Sequence, residues 1–317
     1  MNIVVLDGYG LNPGDLSWEA IKTLGHLTVY ERTSDQEIIH RAIDADIILT
    51  NKTILTAGTL QSLPKLKYIG ILSTGYNVVD IEAAKSKGIV VCNIPTYSTA
   101  SVAQMTFAHL LNITNQVGHY AEENRKGRWN TSLDFCYWDS PIMELHGKKF
   151  GIIGMGHIGT AVAEIAHAFG MEVYAYTARE ASSMPEWVRK VELKELLTEC
   201  DIVSLHCPLK ANTRQIINSE TLALMKKTAI LLNTGRGHLI NELDVAEALN
   251  NGTLAAYGAD VLCVEPAIPT NPLLTAKNVY LTPHIAWAST EARKRLMEIC
   301  ANNIKAFLNG TPQNVIQ

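Results

Sequence analysis

Three glycines place the strongest constraint on how this chain can fold. The apolar run Phe150-Gly151-Ile152-Ile153 leads directly into Gly154-Met155-Gly156-His157-Ile158-Gly159, a G-x-G-x-x-G turn. Beyond it, Ile158, Val162, Ile165, Ala166 and Phe169 recur at helical spacing on one apolar face, and Gly170 closes the helix. Strand, glycine turn and helix in this order begin a βαβ unit that binds a dinucleotide. Gly154 permits the tight turn, Gly156 lets the backbone approach a pyrophosphate, and Gly159 lets helix and strand pack closely. The helix start, at His157 and Ile158, supplies amides and a partial positive charge.

The strand after this helix ends in Tyr176-Thr177-Ala178-Arg179. An acidic residue usually stands there and accepts the adenosine ribose hydroxyls. Here Thr177 takes its place, so no negative charge repels a 2′-phosphate, and Arg179 can attract one. The reading is an NAD(P) site that favours NADP. The alternative is that Arg179 is a solvated surface arginine and NAD binds through other contacts.

The rest of the chain alternates short β-branched runs with helix-like stretches. Asn2–Leu6, Leu27–Tyr30, Asp46–Leu49, Lys67–Leu72 and Gly88–Cys92 form a first series of predicted strands, with helices over Asp35–Ile43 and Asp80–Lys87. Lys149–Ile153, Glu172–Tyr176, Asp201–Leu205, Ala229–Leu232, Ala256–Ala259 and Val279–Leu281 form a second. Near-continuous apolar strands fit parallel sheets buried on both faces. Two such series predict an α/β fold with two doubly wound parallel-sheet domains, one flavodoxin-like and one Rossmann. Thr99–Arg128 is helical in pattern and begins as a crossover. Gly127–Pro141, with Trp129, Phe135, Tyr137 and Trp138, reads as an arm that packs either on its own chain or on a second subunit. The amphipathic helix Thr290–Leu308 is expected to return to the first domain. The predicted division is residues 1–98 with 288–317 as a substrate domain, and 99–287 as an NAD(P)-binding domain carrying the arm.

Composition excludes other classes. The 317 residues carry 27 Lys+Arg against 31 Asp+Glu, a net charge of −4, with no basic run to hold nucleic acid or an anionic membrane. No apolar stretch approaches the roughly 18 residues of a transmembrane helix, and Met1–Asp7 does not resemble a signal peptide. The six scattered cysteines read as reduced thiols of a cytoplasmic protein, and no metal site is expected.

In an open parallel sheet, ligands sit beyond the carboxyl ends of the strands. Those ends carry the Gly154 turn, Thr177, His206-Cys207-Pro208, Asn233-Thr234-Gly235-Arg236-Gly237, Asp260 with Glu265, and Thr282-Pro283-His284. An arginine, a carboxylate and a histidine thus share one edge with the cofactor turn, a set that fits hydride chemistry on a carboxylic acid. His284 is the expected proton donor, since imidazole titrates near neutral pH. Glu265 would hold its tautomer, and Arg236 offers a planar fork for a carboxylate. His40, His109, His119 and His167 fall in helix-like stretches without metal-ligand spacing and are read as carrying no function.

Across essentially the whole chain these residues resemble the D-isomer-specific 2-hydroxyacid dehydrogenases, most of all the glycerate dehydrogenase or hydroxypyruvate reductase branch. The matching motifs are Gly154–Gly159, Asn233–Gly237, Gly258-Ala259-Asp260-Val261 with Glu265-Pro266, and Thr282-Pro283-His284-Ile285-Ala286-Trp287. The resemblance implies Arg236, Glu265 and His284 as the catalytic triad and Asp260 at the nicotinamide carboxamide. It also implies cofactor contacts from backbone near Cys207, Pro208 and Thr234. In Ser73-Thr74-Gly75-Tyr76 it implies amides near Thr74 and Gly75 that hold the substrate carboxylate. The implied function is hydride transfer between NAD(P)H and a small 2-keto or D-2-hydroxy acid, with hydroxypyruvate and glyoxylate foremost, in a homodimer. A D-lactate or phosphoglycerate type and a nucleotide-sensing corepressor stand as alternatives. Formate dehydrogenases differ in carrying Gln at the position of Glu265.

Overall fold

The computed structural model describes residues 1–316, which form two compact units: residues 1–98 with 288–316, and Thr99–Trp287. The first unit holds β1 (Asn2–Val5), β2 (His26–Val29), β3 (Ile47–Thr50), β4 (Tyr68–Ile71) and β5 (Val90–Cys92). They form one parallel sheet in the order β2-β1-β3-β4-β5, the flavodoxin-like arrangement. β3 and β4 are buried along their whole length, as their unbroken apolar runs require. Helix Thr290–Leu308 belongs to this unit. Its Arg293 is fixed by a bidentate bond to Asp15 (2.7 and 2.6 Å), and its Asn303 bonds the carbonyl of Asn93.

The second unit adds β6 (Lys149–Ile153), β7 (Glu172–Tyr176), β8 (Val188–Lys190), β9 (Ile202–Leu205), β10 (Ile230–Asn233), β11 (Ala256–Ala259) and β12 (Val279–Leu281). All seven strands are parallel, in the order β12-β11-β10-β9-β6-β7-β8. That is the doubly wound dinucleotide-binding order with one further strand at the β12 edge. The winding reverses between β6 and β9, the point at which such sheets bind ligands. Apolar clusters cover both faces. Among the described residues no helix is long and apolar enough to cross a membrane.

Several strand starts shift by a residue or two from the sequence reading. Just before β3 and β9, the carboxylates of Asp46 and Asp201 accept the backbone N–H of Asn2 and Lys149, each at 2.9 Å. β8 escaped the sequence because it is a three-residue edge strand with Arg189 and Lys190 exposed. The helical pattern over Thr99–Arg128 is two helices, Thr99–Asn115 and Val117–Arg125. Gln116 between them takes a left-handed backbone (φ 49°), which interrupts the hydrogen-bond ladder. Phe169 ends its helix 40% exposed, its ring stacked on Phe107.

The aromatic arm is tied to the second of these helices by polar bonds. Asp139 accepts from Arg128 and His119, Tyr137 donates to Asn124 (2.6 Å), and the Arg128 guanidinium lies over the Tyr137 ring. The Arg128 and His119 donors hold the Asp139 carboxyl well below the usual carboxylate range. Leu133, Phe135 and Trp138 remain exposed on this braced arm.

Candidate active site

Each glycine of the turn has its own physical reason. Gly154 has φ 102°, and a Cβ there would come within 2.5 Å of the Cys207 backbone nitrogen. A Cβ on Gly159 would lie 2.1 Å from the Gly154 carbonyl oxygen, so helix His157–Ala168 can rest on the turn only because Gly159 has none. A Cβ on Gly156 would meet nothing within 4 Å. The protein's own packing therefore demands Gly154 and Gly159, whereas Gly156 keeps open space in front of the helix. No side chain caps that helix, so the amides at His157, Ile158 and Gly159 point into the same space. An uncapped helix start beside open space fits a pyrophosphate.

At the end of β7, Arg179 folds back over the turn. Its guanidinium donates to the carbonyls of Met155 (3.0 Å) and Ser183 (2.6 Å), and its backbone amide donates to Thr177 Oγ1 (3.2 Å). Lys190 of β8 donates to the Arg179 carbonyl (2.7 Å) and adds a second cation at this corner. Sequence reading missed Lys190 because its strand was invisible. The Cys207 thiol is buried and pushed up to about 11, so its neutral form and its backbone line the turn.

The three candidate catalytic residues follow three neighbouring strands: Arg236 follows β10, Glu265 follows β11 and His284 follows β12. The pairings Asn233–Ala259 and Ala259–Leu281 bring these ends level. His284 Nδ1 lies 2.5 Å from Glu265 Oε2, and Glu265 Oε1 accepts the Leu262 amide at 3.0 Å. Both carboxylate oxygens are thus engaged, and the imidazole Nε2 is the atom left to meet a substrate. His284 holds a left-handed backbone (φ 54°), a strained state of the kind that marks functional loops. Asp260, buried to 1% exposure, maintains it. Its carbonyl accepts the His284 amide, Oδ1 accepts from Ile285 N–H and the Thr282 hydroxyl, and Oδ2 accepts the Ala286 amide. The structure thereby gives Asp260 a task that the sequence did not show, organising the histidine loop.

Arg236 is exposed, and its guanidinium donates to the Gly235 carbonyl (2.8 Å). The turn beneath it is held by buried Asn233, which accepts from Gly235 N–H and donates to the Arg236 carbonyl, each at 3.0 Å. Gly237 then packs directly on the Leu262–Cys263 backbone. Glu242 accepts the Cys263 amide (2.8 Å) and the Asn271 side chain (3.0 Å), so the loop that carries Glu265 is clamped at both ends. Thr234 is buried and pairs with Thr106 at 3.0 Å.

In the first unit the loop after β4 turns its side chains inward. Ser73 donates to the Gly75 carbonyl, Thr74 to the Ile94 carbonyl, and Asn93 to the Thr74 carbonyl. Among the described residues the amides of Thr74 and Gly75 donate to no group of the chain. No group of side chains suited to hold a metal ion occurs among the described residues.

A glycine turn at the switch point of a parallel sheet, with an imidazole–carboxylate pair on the same edge, defines a nucleotide-dependent oxidoreductase. Residues 107–286 match the model of the D-isomer specific 2-hydroxyacid dehydrogenase NAD-binding domain. The chain is 51% identical, over 100% of its length and 99% of the relative's, to a hydroxypyruvate reductase of Blautia hydrogenotrophica. It is 40% identical to a glycerate dehydrogenase of Methylorubrum extorquens, over 91% of each chain. An acyclic imino acid reductase solved with NADPH and D-Arg superposes with TM-score 0.87 at 34% identity over 100% of both chains. The chain belongs to the D-isomer specific 2-hydroxyacid dehydrogenase family and is an NAD(P)-dependent enzyme of hydride transfer on 2-hydroxy acids.

Proposed function

We propose that this enzyme reduces hydroxypyruvate to D-glycerate, and glyoxylate to glycolate, with NADPH as the preferred hydride donor. The Glu265–His284 pair at the end of β12 carries the reading, and the hydroxypyruvate reductase at 51% identity supports the choice of substrate. When bound, the reduced nicotinamide supplies the hydride, and the chain's residues supply the proton and the electrostatics. His284 Nε2–H donates to the carbonyl oxygen as the alcohol forms. Glu265, holding Nδ1–H, stabilises the imidazolium from which that proton leaves. The Arg236 guanidinium binds the substrate carboxylate in a charge-assisted fork and opposes the charge growing on the oxygen. The Thr74 and Gly75 amides are proposed to bind the carboxylate as well, supported by their unused donors. Asp260 is proposed to face the nicotinamide carboxamide. The substrate domain is then the unit of residues 1–98 and 288–317, and the cofactor domain is residues 99–287.

Thr177, Arg179 and Lys190 support the NADPH preference. With a panel of 2-keto acids and both cofactors, kcat/KM for hydroxypyruvate should be highest with NADPH. Arg179→Ala should lower the NADPH-to-NADH ratio by about tenfold, the worth of one lost charge-assisted bond. Equal use of both cofactors before and after the change would remove the NADP reading, and no turnover of any 2-keto acid would remove the substrate reading.

The protein is further read as a cytoplasmic homodimer that pairs through the arm. Exposed Leu133, Phe135 and Trp138 on a braced support favour a partner surface. Sedimentation at micromolar concentration should give the mass of two chains, and Phe135→Asp with Trp138→Asp should give one. A wild-type monomer would overturn this reading.

A further inference from the structure

Helix Thr99–Asn115 does more than connect two parts of the chain. Three of its side chains bond to loops at the candidate site: Ser101 donates to the Ala286 carbonyl (2.6 Å), Thr106 meets Thr234 (3.0 Å), and His109 Nε2 meets Thr282 Oγ1 (3.0 Å). The last is the most informative. His109 is 5% exposed, and a Cβ on Gly258 would come within 3.0 Å of the His109 Cβ, so the helix seats its histidine against the bare backbone of β11.

The proton directions in this contact are determined by elimination. Thr282 Oγ1 lies 2.6 Å from Asp260 Oδ1, and an ionised carboxylate can only accept, so the hydroxyl donates to Asp260. Its one hydrogen is then spent, and toward His109 it can only accept. His109 therefore carries its proton on Nε2. Burial lowers its affinity for a second proton, although the Asp260 charge works the other way. The result is a one-way chain, His109 Nε2–H to Thr282 Oγ1–H to Asp260 Oδ1. Asp260 in turn accepts the amides of His284, Ile285 and Ala286 through its carbonyl and both carboxylate oxygens.

We propose that His109 is a positioning residue of the hydride-transfer site: through Thr282 it orients the Asp260 carboxylate that holds the His284 loop in its left-handed conformation. The proposal rests on the reading of His284 as proton donor. Without His109, the Thr282 hydroxyl can rotate away from Asp260, and the carboxylate loses one of the three donors that hold its oxygens. Hydrogen bonds acting as a unit are separable only by measuring the pair together.

The test uses His109→Leu, His109→Gln, Thr282→Val and the Leu/Val double variant. In His109→Leu, kcat should fall about tenfold while KM for NADPH and for the 2-keto acid stays within twofold, since the loss is in geometry at the reacting atoms. His109→Gln retains an N–H donor and should recover to within threefold of wild type. The double variant should lose no more than Thr282→Val alone. Hydrogen–deuterium exchange on the protein without cofactor gives a readout independent of turnover. Residues 284–288 should exchange at least fivefold faster in His109→Leu and in Thr282→Val, but not in His109→Gln. Wild-type kcat and exchange in His109→Leu, additive losses in the double variant, or equal defects in the Leu and Gln variants would each overturn the proposal. Should His109→Leu fail to fold, Thr282→Val leaves the helix and its histidine in place and reports on the same chain by exchange. If the wild type reduces no 2-keto acid, the functional reading fails, while the exchange result still judges the bond chain.

Discussion

Replacing His284 by asparagine is expected to lower kcat about a thousandfold and to leave the NADPH dissociation constant within twofold. Asparagine suits the test because it tolerates the left-handed backbone that His284 adopts (φ 54°), so the loop keeps its course while the titratable group disappears. A positioned general acid contributes roughly 10²–10⁴ to a rate, and the asparagine amide that replaces it cannot release a proton near neutral pH. In the proposed binding mode the cofactor rests on the glycine turn and the β7 corner, away from the His284 side chain. Steady-state rates with hydroxypyruvate and a fluorescence titration with NADPH read the two quantities separately. A variant that kept more than a tenth of the wild-type kcat would show that the proton comes from elsewhere.

The second large effect is expected from a residue with no side chain. Gly237→Ala would place a Cβ 2.0 Å from the Leu262 carbonyl carbon and 2.3 Å from the Cys263 nitrogen. Those neighbours are backbone and cannot rotate aside. Cys263 is further clamped by Glu242, so the strain falls on the two turns together. Overpacking of this kind costs about 3 kcal/mol. For a unit of this size, that is a fall in Tm of roughly 6–12 °C. Activity should fall more than stability accounts for. The clash pushes the turn that carries Arg236 away from the loop that carries Glu265, and a displacement of about 1 Å between reacting groups costs about a hundredfold. Thermal unfolding and kcat/KM measured at 25 °C test both halves. A variant with wild-type Tm would mean that the two backbones separate freely.

These two positions show how unevenly the site can be read in advance. The glycine turn was legible because its pattern is local: strand, turn and helix are contiguous, and the spacing of the three glycines is read within one βαβ unit. Arg236, Glu265 and His284 could be placed on one edge because strand ends in a parallel sheet all lie on the same side. Asn233 stands in a matching motif without showing its task, and Glu242 and Lys190 do not stand out at all. Each acts through a partner that polar residue types alone do not identify, and Lys190 also lay on an edge strand too short to be seen. His109 was read as carrying no function because a lone histidine in a helical pattern looks the same whether or not something meets its ring. Its partner, Thr282, is 173 residues away.

The sequence by itself determined the alternation of strands and helices, the doubly wound class and the positions of the chemistry-bearing residues. Those follow from hydrophobic period, chain order and the handedness of βαβ connections, all properties of consecutive residues. Only the tertiary structure decided that the Glu265 carboxylate reaches His284, that Asp260 holds three successive amides, that His284 is left-handed, and that the crossover helix braces the loops at the strand ends. Each of these depends on a hydrogen bond or close approach between segments far apart in the chain. Such contacts arise from the packing of the whole sheet, and no local pattern encodes them.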